Sequence, residues 1–161
     1  KYVNLKKWFL FSCFTGIPFE ESTEIKWEHL KDYKEYSMIE YKRVKTEKFY
    51  RLKINNKARQ IIGDRKGDVD RIFPYLSKNN NLYDGLRKIV EDAGIKKHIT
   101  PHCARNTFAG LYYSKTKDPL KLMKVMGHKD FKTTMVYIKK FQEETDDIMP
   151  EFEDLSIEMM L

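Results

Sequence analysis

The amino-acid sequence predicts a mainly α-helical domain carrying one small antiparallel β-ribbon. Three observations predict it. Apolar residues recur at helical spacing in segments along the whole chain. Alternation of period two is confined to the stretch from Tyr36 to Ile54. The length of 161 residues, 41% of them hydrophobic, suffices for one packed core and is short for two.

From Leu5 to Phe14 the apolar residues are nearly continuous, which predicts a helix buried on most sides. Thr15, Gly16 and Pro18 stop it, and Glu20 to Ile25 reads as a short second helix before Trp27. Met38, Glu40, Lys42 and Val44 then lead into Phe49, Arg51 and Lys53 in alternation, two strands joined by the polar turn Lys45-Thr46-Glu47-Lys48. Helices follow over Ala58 to Ile62 and Asn79 to Ala93, the second with Leu82, Leu86, Ile89 and Val90 on one face and Gly94 closing it. Thr100-Pro101, a side-chain cap before a proline at the first helical position, opens a helix through Phe108, Leu111 and Tyr112. Asp118-Pro119 repeats the device for a helix ending at Gly127. Asp130 caps the last helix, with Phe131, Met135, Ile138 and Gln142 along one side.

The formal net charge is +7, and its distribution carries more information than its total. Gln142 to Leu161 holds eight acidic residues and no Lys or Arg, so the preceding residues carry 31 basic groups against 24 minus those eight, a balance of +15. A body that basic attracts polyanions, a phosphate backbone foremost; a solvated lysine-rich surface fits composition equally well. Cys13 and Cys103 lie in apolar stretches without metal-ligand or CxxC spacing and read as small buried hydrophobes of a reducing compartment. The four histidines show no ligand spacing either, and no Gly-rich phosphate loop occurs, so neither metal nor nucleotide cofactor is expected. No apolar run approaches membrane-spanning length, and a cytoplasmic, nucleoid-associated location is the expectation.

Three local patterns carry chemistry. His102-x-x-Arg105 opens the helix begun by Thr100-Pro101, where residues three apart share a face beside free backbone N–H groups. An imidazole and a guanidinium added to a helix N-terminus make a pocket suited to phosphate. Gly127-His128 follows the next helix, the glycine turning the chain and fixing the imidazole beyond the helix end. Tyr137 stands nine residues after His128, off the stripe of Phe131, Met135 and Ile138, where its hydroxyl is able to face a cleft. Alone, each also fits a surface pair, a helix cap or a snorkelling tyrosine.

In this order, Pro101 to Ala109, Met126 to Thr134 and Tyr137 resemble the tyrosine recombinase (phage integrase) family, in which His-x-x-Arg, Gly-His, a Thr-rich stretch and Tyr recur. Phe9 to Gly16, with Trp27 beyond it, is similar to the family's first box. The resemblance implies the DNA breaking-rejoining fold, with residues 1–147 as catalytic domain and the ribbon at about 36–54. It implies Tyr137 as nucleophile forming a 3′-phosphotyrosyl bond, Arg105 and His128 on the phosphate oxygens, and His102 orienting or transferring a proton. Lys45, in Val44-Lys45-Thr46, would be the ribbon lysine that protonates the leaving oxygen, with Lys42, Arg43 and Lys48 on DNA phosphates. One departure stands out: Pro18 occupies the position of the first-box arginine, while Glu21 matches the acidic residue that follows it. That absence resembles conjugative-transposon and other mobile-element branches.

The implied function is site-specific recombination of double-stranded DNA by a homo-oligomer, a tetramer on DNA, with preceding DNA-binding domains expected because Lys1 enters a helical pattern at once. The amphipathic acidic tail, 148–161, is expected to dock either on a neighbouring protomer or back on its own domain. Two alternatives stay open: a catalytically weakened DNA-binding module of the same fold, motivated by Pro18, and a type IB topoisomerase.

Overall fold

A computed structural model describes residues 2–42, 47, 49–76 and 80–145. Helices α1 (Val3–Thr15) and α2 (Phe19–Ser22) precede a single 3-10 turn, Trp27–His29. Strands β1 (Leu30–Asp32), β2 (Ser37–Lys42) and β3 (Phe49–Ile54) follow, then α3 (Asn56–Ile62), α4 (Asn80–Asp92), α5 (Pro101–Thr116), α6 (Pro119–Met126) and α7 (Phe131–Thr145). The predicted mainly α class with a small antiparallel sheet is the observed one.

Helix α1 is the spine, as its near-continuous apolar run requires: Trp8 and Phe11 are fully buried, and the helix contacts α3, α4 and α5. Complete burial of such side chains stabilises the fold by about 1.5–3 kcal/mol each. The Trp8 indole N–H is satisfied inside by Ser22 Oγ at 2.6 Å. Two apolar clusters result. The larger joins α1 to α4 and the sheet; the smaller joins Phe108 and Ala109 of α5, Leu122 and Met126 of α6, and Ile138 of α7. Val125 packs against both.

Gly16 sets the distance between the two clusters. It ends α1 at φ +69°, a left-handed conformation that suits glycine, and a Cβ there would be driven into the ring of Phe108. The turn after α1 therefore lies directly on α5.

Local signals locate most elements, and the structure corrects four readings. The ribbon has a third strand: β1 pairs with β2 in the order β1-β2-β3, through Leu30↔Ile39, Lys31↔Met38 and Asp32↔Ser37. Three residues are too few to display a period of two. The second helix is shorter than Glu20 to Ile25, because Ile25 leaves it to accept a backbone bond from Ile72 at 2.9 Å. The buried stripe of α7 runs through Thr134 and Ile138 with Met135 and Phe141 beside it, whereas Phe131 is 39% exposed and Gln142 is exposed. Cys103 is only half-buried, with its sulfur accepting the Thr100 N–H at 3.4 Å; Cys13 is buried as expected. Burial pushes the Cys13 thiol up to about 12, which makes it inert at neutral pH.

Candidate active site

The first two turns of α5 carry His102 and Arg105. The Arg105 guanidinium reaches across to the chain on either side, donating to Gly16 O from Nη1 and to Met126 O from Nη2 at 2.6 Å. Nη2 also lies 3.4 Å from His128 Nε2. A guanidinium offers only donors, so His128 Nε2 accepts there and its proton resides on Nδ1, which donates to Thr134 Oγ1 at 2.9 Å. Thr134 is completely buried.

His128 is placed by the end of α6. Asp118 starts that helix by accepting the Lys121 N–H at 2.9 Å, and Gly127 ends it at φ 64°. Asp130 then accepts the Lys132 N–H at 2.9 Å and starts α7. Between these two caps the chain has little freedom, and His128 is held over the first turns of α7.

Tyr137, half-buried on α7, stacks its ring on His128 with centroids 5.3 Å apart at 27°. Its hydroxyl lies 3.2 Å from His102 Nε2. Tyr137, His102, Arg105 and His128 thus form one connected group, brought together from sequence positions up to 35 residues apart. Pro18 joins them at a distance: a cleft of about 370 Å³ is walled by Pro18, Glu20, Tyr83, His102 and Arg105, among others. Tyr137 is not one of its walls and reaches it through His102.

Lys45, Arg43 and Lys48 lie outside the described residues, as does the tail from 148. Lys42 is exposed at the end of β2 and pairs with Glu47 at 3.8 Å, an exposed contact that a phosphate would displace at little cost. Three participants were not singled out from sequence. Thr134 belongs to the Thr-rich stretch, but its burial on the α7 stripe marks it only after the stripe is known. Tyr41 and Tyr50 look like ordinary strand residues, yet Tyr41 donates to the buried Glu21 at 2.8 Å and Tyr50 bonds the end of α6.

Partial burial depresses the His102 pKa below that of a free imidazole, and the nearby Arg105 and Lys140 charges push the same way. His102 is therefore neutral at pH 7, leaving Nε2 able to accept the Tyr137 proton. The folded state binds this proton less readily than the unfolded chain. The contribution of His102 to stability is thus complete above the unfolded value of about 6.5 and is lost as pH falls through the lower folded value. A histidine NMR titration is expected to give His102 a midpoint below that of a short peptide. A raised midpoint would contradict this acceptor role.

Solved structures of tyrosine recombinases share this fold. The crystal structure of XerA recombinase superimposes with a TM-score of 0.67 at 21% identity, over 93% of this chain and 58% of that one. XerH site-specific recombinase bound to palindromic difH substrate gives 0.67 at 18% identity, over 89% and 44%. The Tn1549 transposon integrase in complex with a circular intermediate DNA gives 0.60 at 19%, over 88% and 58%. In sequence, the chain is 35% identical over 79 residues to tyrosine recombinase XerA of Saccharolobus solfataricus, covering 49% of this chain and 25% of the relative. It is 31% identical over 96 residues to tyrosine recombinase XerD of Oceanobacillus iheyensis, covering 57% and 32%. The chain thus spans a quarter to a third of the length of these curated relatives. The sequence profile of the phage integrase family matches residues 1–144, and the chain belongs to that family.

Proposed function

We propose that this chain is the catalytic domain, residues 1–147, of a site-specific DNA recombinase that moves a mobile element by strand cleavage and rejoining. The observation that carries the reading is the contact of the Tyr137 hydroxyl with His102 Nε2 at 3.2 Å, within a group that also holds His128 and Arg105. The Tyr137 oxygen attacks a DNA phosphorus as its proton passes to His102. The bond to the 5′ oxygen breaks, leaving a 3′-phosphotyrosyl linkage that conserves the bond energy for rejoining. Arg105 faces the non-bridging oxygens, His128 joins it when Nε2 carries a proton, and Lys45 protonates the leaving oxygen. Lys42, Arg43 and Lys48 contact backbone phosphates.

The domain belongs, in this reading, to a branch without the first-box arginine: Pro18 offers no donor, and it shares a cleft with Arg105 and His102. The partners are double-stranded DNA and further copies of the protein, a tetramer on DNA, with the acidic tail docking in trans or in cis. Among the described residues no helix is long and apolar enough to cross a membrane, consistent with action on cytoplasmic DNA.

The test is a nicked suicide duplex mixed with the intact protein. The expected product is a detergent-resistant adduct whose phosphotyrosyl peptide contains Tyr137. Tight binding with no adduct would favour the weakened DNA-binding module that Pro18 motivates. Relaxation of supercoiled plasmid without recombinant product would favour a type IB topoisomerase.

A further inference from the structure

A helix leaves its last four carbonyls without intrahelical donors. In α6 these belong to Met123, Lys124, Val125 and Met126, and each has found a partner. The N–H of His128 reaches Met123 O at 3.1 Å and that of Gly127 reaches Lys124 O at 3.0 Å. Arg105 takes Met126 O at 2.6 Å. Tyr50 completes the set: its hydroxyl donates to Val125 O and lies 3.0 Å from Lys124 O. The donor comes from β3, 74 residues earlier in the chain, and binds just before the turn that presents His128.

The cross-strand partner of Tyr50 is Tyr41 on β2, with ring centroids 5.7 Å apart. Tyr41 is 4% exposed and donates to Glu21 Oε2 at 2.8 Å, three residues beyond Pro18. One pair of opposed tyrosines therefore fastens the sheet to both sides of the site. Tyr41 holds α2, which Pro18 precedes, and Tyr50 holds the end of α6, from which the turn to His128 leads. The link falls on the seam of the fold, because Val125 packs against both apolar clusters.

We propose that Tyr50, with Tyr41 behind it, is a positioning residue for the strand-cleavage chemistry. Its hydroxyl fixes the Val125 and Lys124 carbonyls and, through the Met126-Gly127-His128 turn, the placement of Arg105 and His128 against the phosphate. Without it Val125 O loses this donor at the helix end, and the turn gains freedom where Arg105 needs a fixed acceptor. This rests on the reading of Tyr137 as nucleophile, and two measurements separate the two claims.

The first measurement uses the free intact protein, with histidine ring nitrogens labelled. Tyr50→Phe, which keeps the ring and removes one oxygen, is expected to shift the His128 ring resonances; Tyr36→Phe, in the connection between β1 and β2, is expected to leave them in place. This readout does not depend on adduct formation. The second times a single turnover on a suicide duplex at saturating protein. Tyr50→Phe is expected to slow adduct formation about tenfold, with DNA affinity unchanged. Combined with His128→Ala, it is expected to add a smaller loss than it causes alone, because both changes act on one contact set. Unmoved His128 resonances, an unchanged rate, a parallel loss of DNA affinity or additive losses in the double variant would each overturn the proposal. Absence of any adduct with the unaltered protein would instead count against Tyr137 as nucleophile, while the resonance shift would still decide the role of Tyr50.

Discussion

Tyr137→Phe is expected to reduce covalent attachment to DNA to background while leaving fold and DNA affinity intact. The substitution removes one oxygen whose described contact is His102 Nε2, at 3.2 Å on the exposed side of α7. The ring stack on His128, at 5.3 Å, is kept. Loss of one partly exposed neutral hydrogen bond costs about 1 kcal/mol of stability, so the melting curve should move little. Chemistry has no such tolerance: without the phenolic oxygen no phosphotyrosyl bond forms.

A gel under denaturing conditions reads the adduct, and filter binding reads affinity on the same duplex. The chain has ten tyrosines, so the result is discriminating. An adduct that persists in Tyr137→Phe would move the nucleophile elsewhere, Tyr112 and Tyr113 of α5 being the aromatic neighbours in the smaller cluster.

The parts of this site that were legible in the sequence are those encoded locally. Asp118-Pro119, Gly127 and Asp130 each act within one helical turn, so they locate α6, His128 and the start of α7 without tertiary knowledge. Helix periodicity likewise places His102 and Arg105 on one face. What was not legible depends on pairings across the chain. Arg105 meets Gly16, 89 residues away, and Tyr50 meets Val125, 75 residues away, and no period or cap signal records either partner. Thr134 was hidden for a related reason. A polar residue on an apolar stripe looks misplaced until His128 is known to stand above it. Phe131 misled in the opposite sense, since a large aromatic at helical spacing promises burial that the helix start does not supply. Composition gave the basic body and the expected polyanion, but charge carries no register and does not say which guanidinium is structural and which faces the substrate.

On the proposed reading Arg105 is both, and its replacement should therefore have a different signature from that of Tyr137. Its guanidinium ties the turn after α1 to the end of α6 through Gly16 O and Met126 O, and it touches His128 at 3.4 Å. Those carbonyls lie on opposite sides of a planar fork that a lysine ammonium does not reproduce. Arg105→Lys should destabilise the domain by about 2–3 kcal/mol, the range for a hydrogen bond made by a charged donor and the carbonyl left behind. It should also slow adduct formation by at least about a hundredfold, the usual effect of removing one positioned donor from a transition-state oxygen. Pro18 sharpens this expectation. Where the first box supplies no guanidinium, Arg105 is the arginine that the described cleft holds beside His102, so the loss falls on a site with less redundancy. Denaturant unfolding and single-turnover cleavage, run on Arg105→Lys and Tyr137→Phe together, test the distinction. The phenylalanine variant should lose chemistry alone, and the lysine variant both chemistry and stability. An Arg105→Lys protein that cleaves at the normal rate would remove the guanidinium from the phosphate. One that unfolds at the normal denaturant concentration would remove it from the joint between α1 and α6.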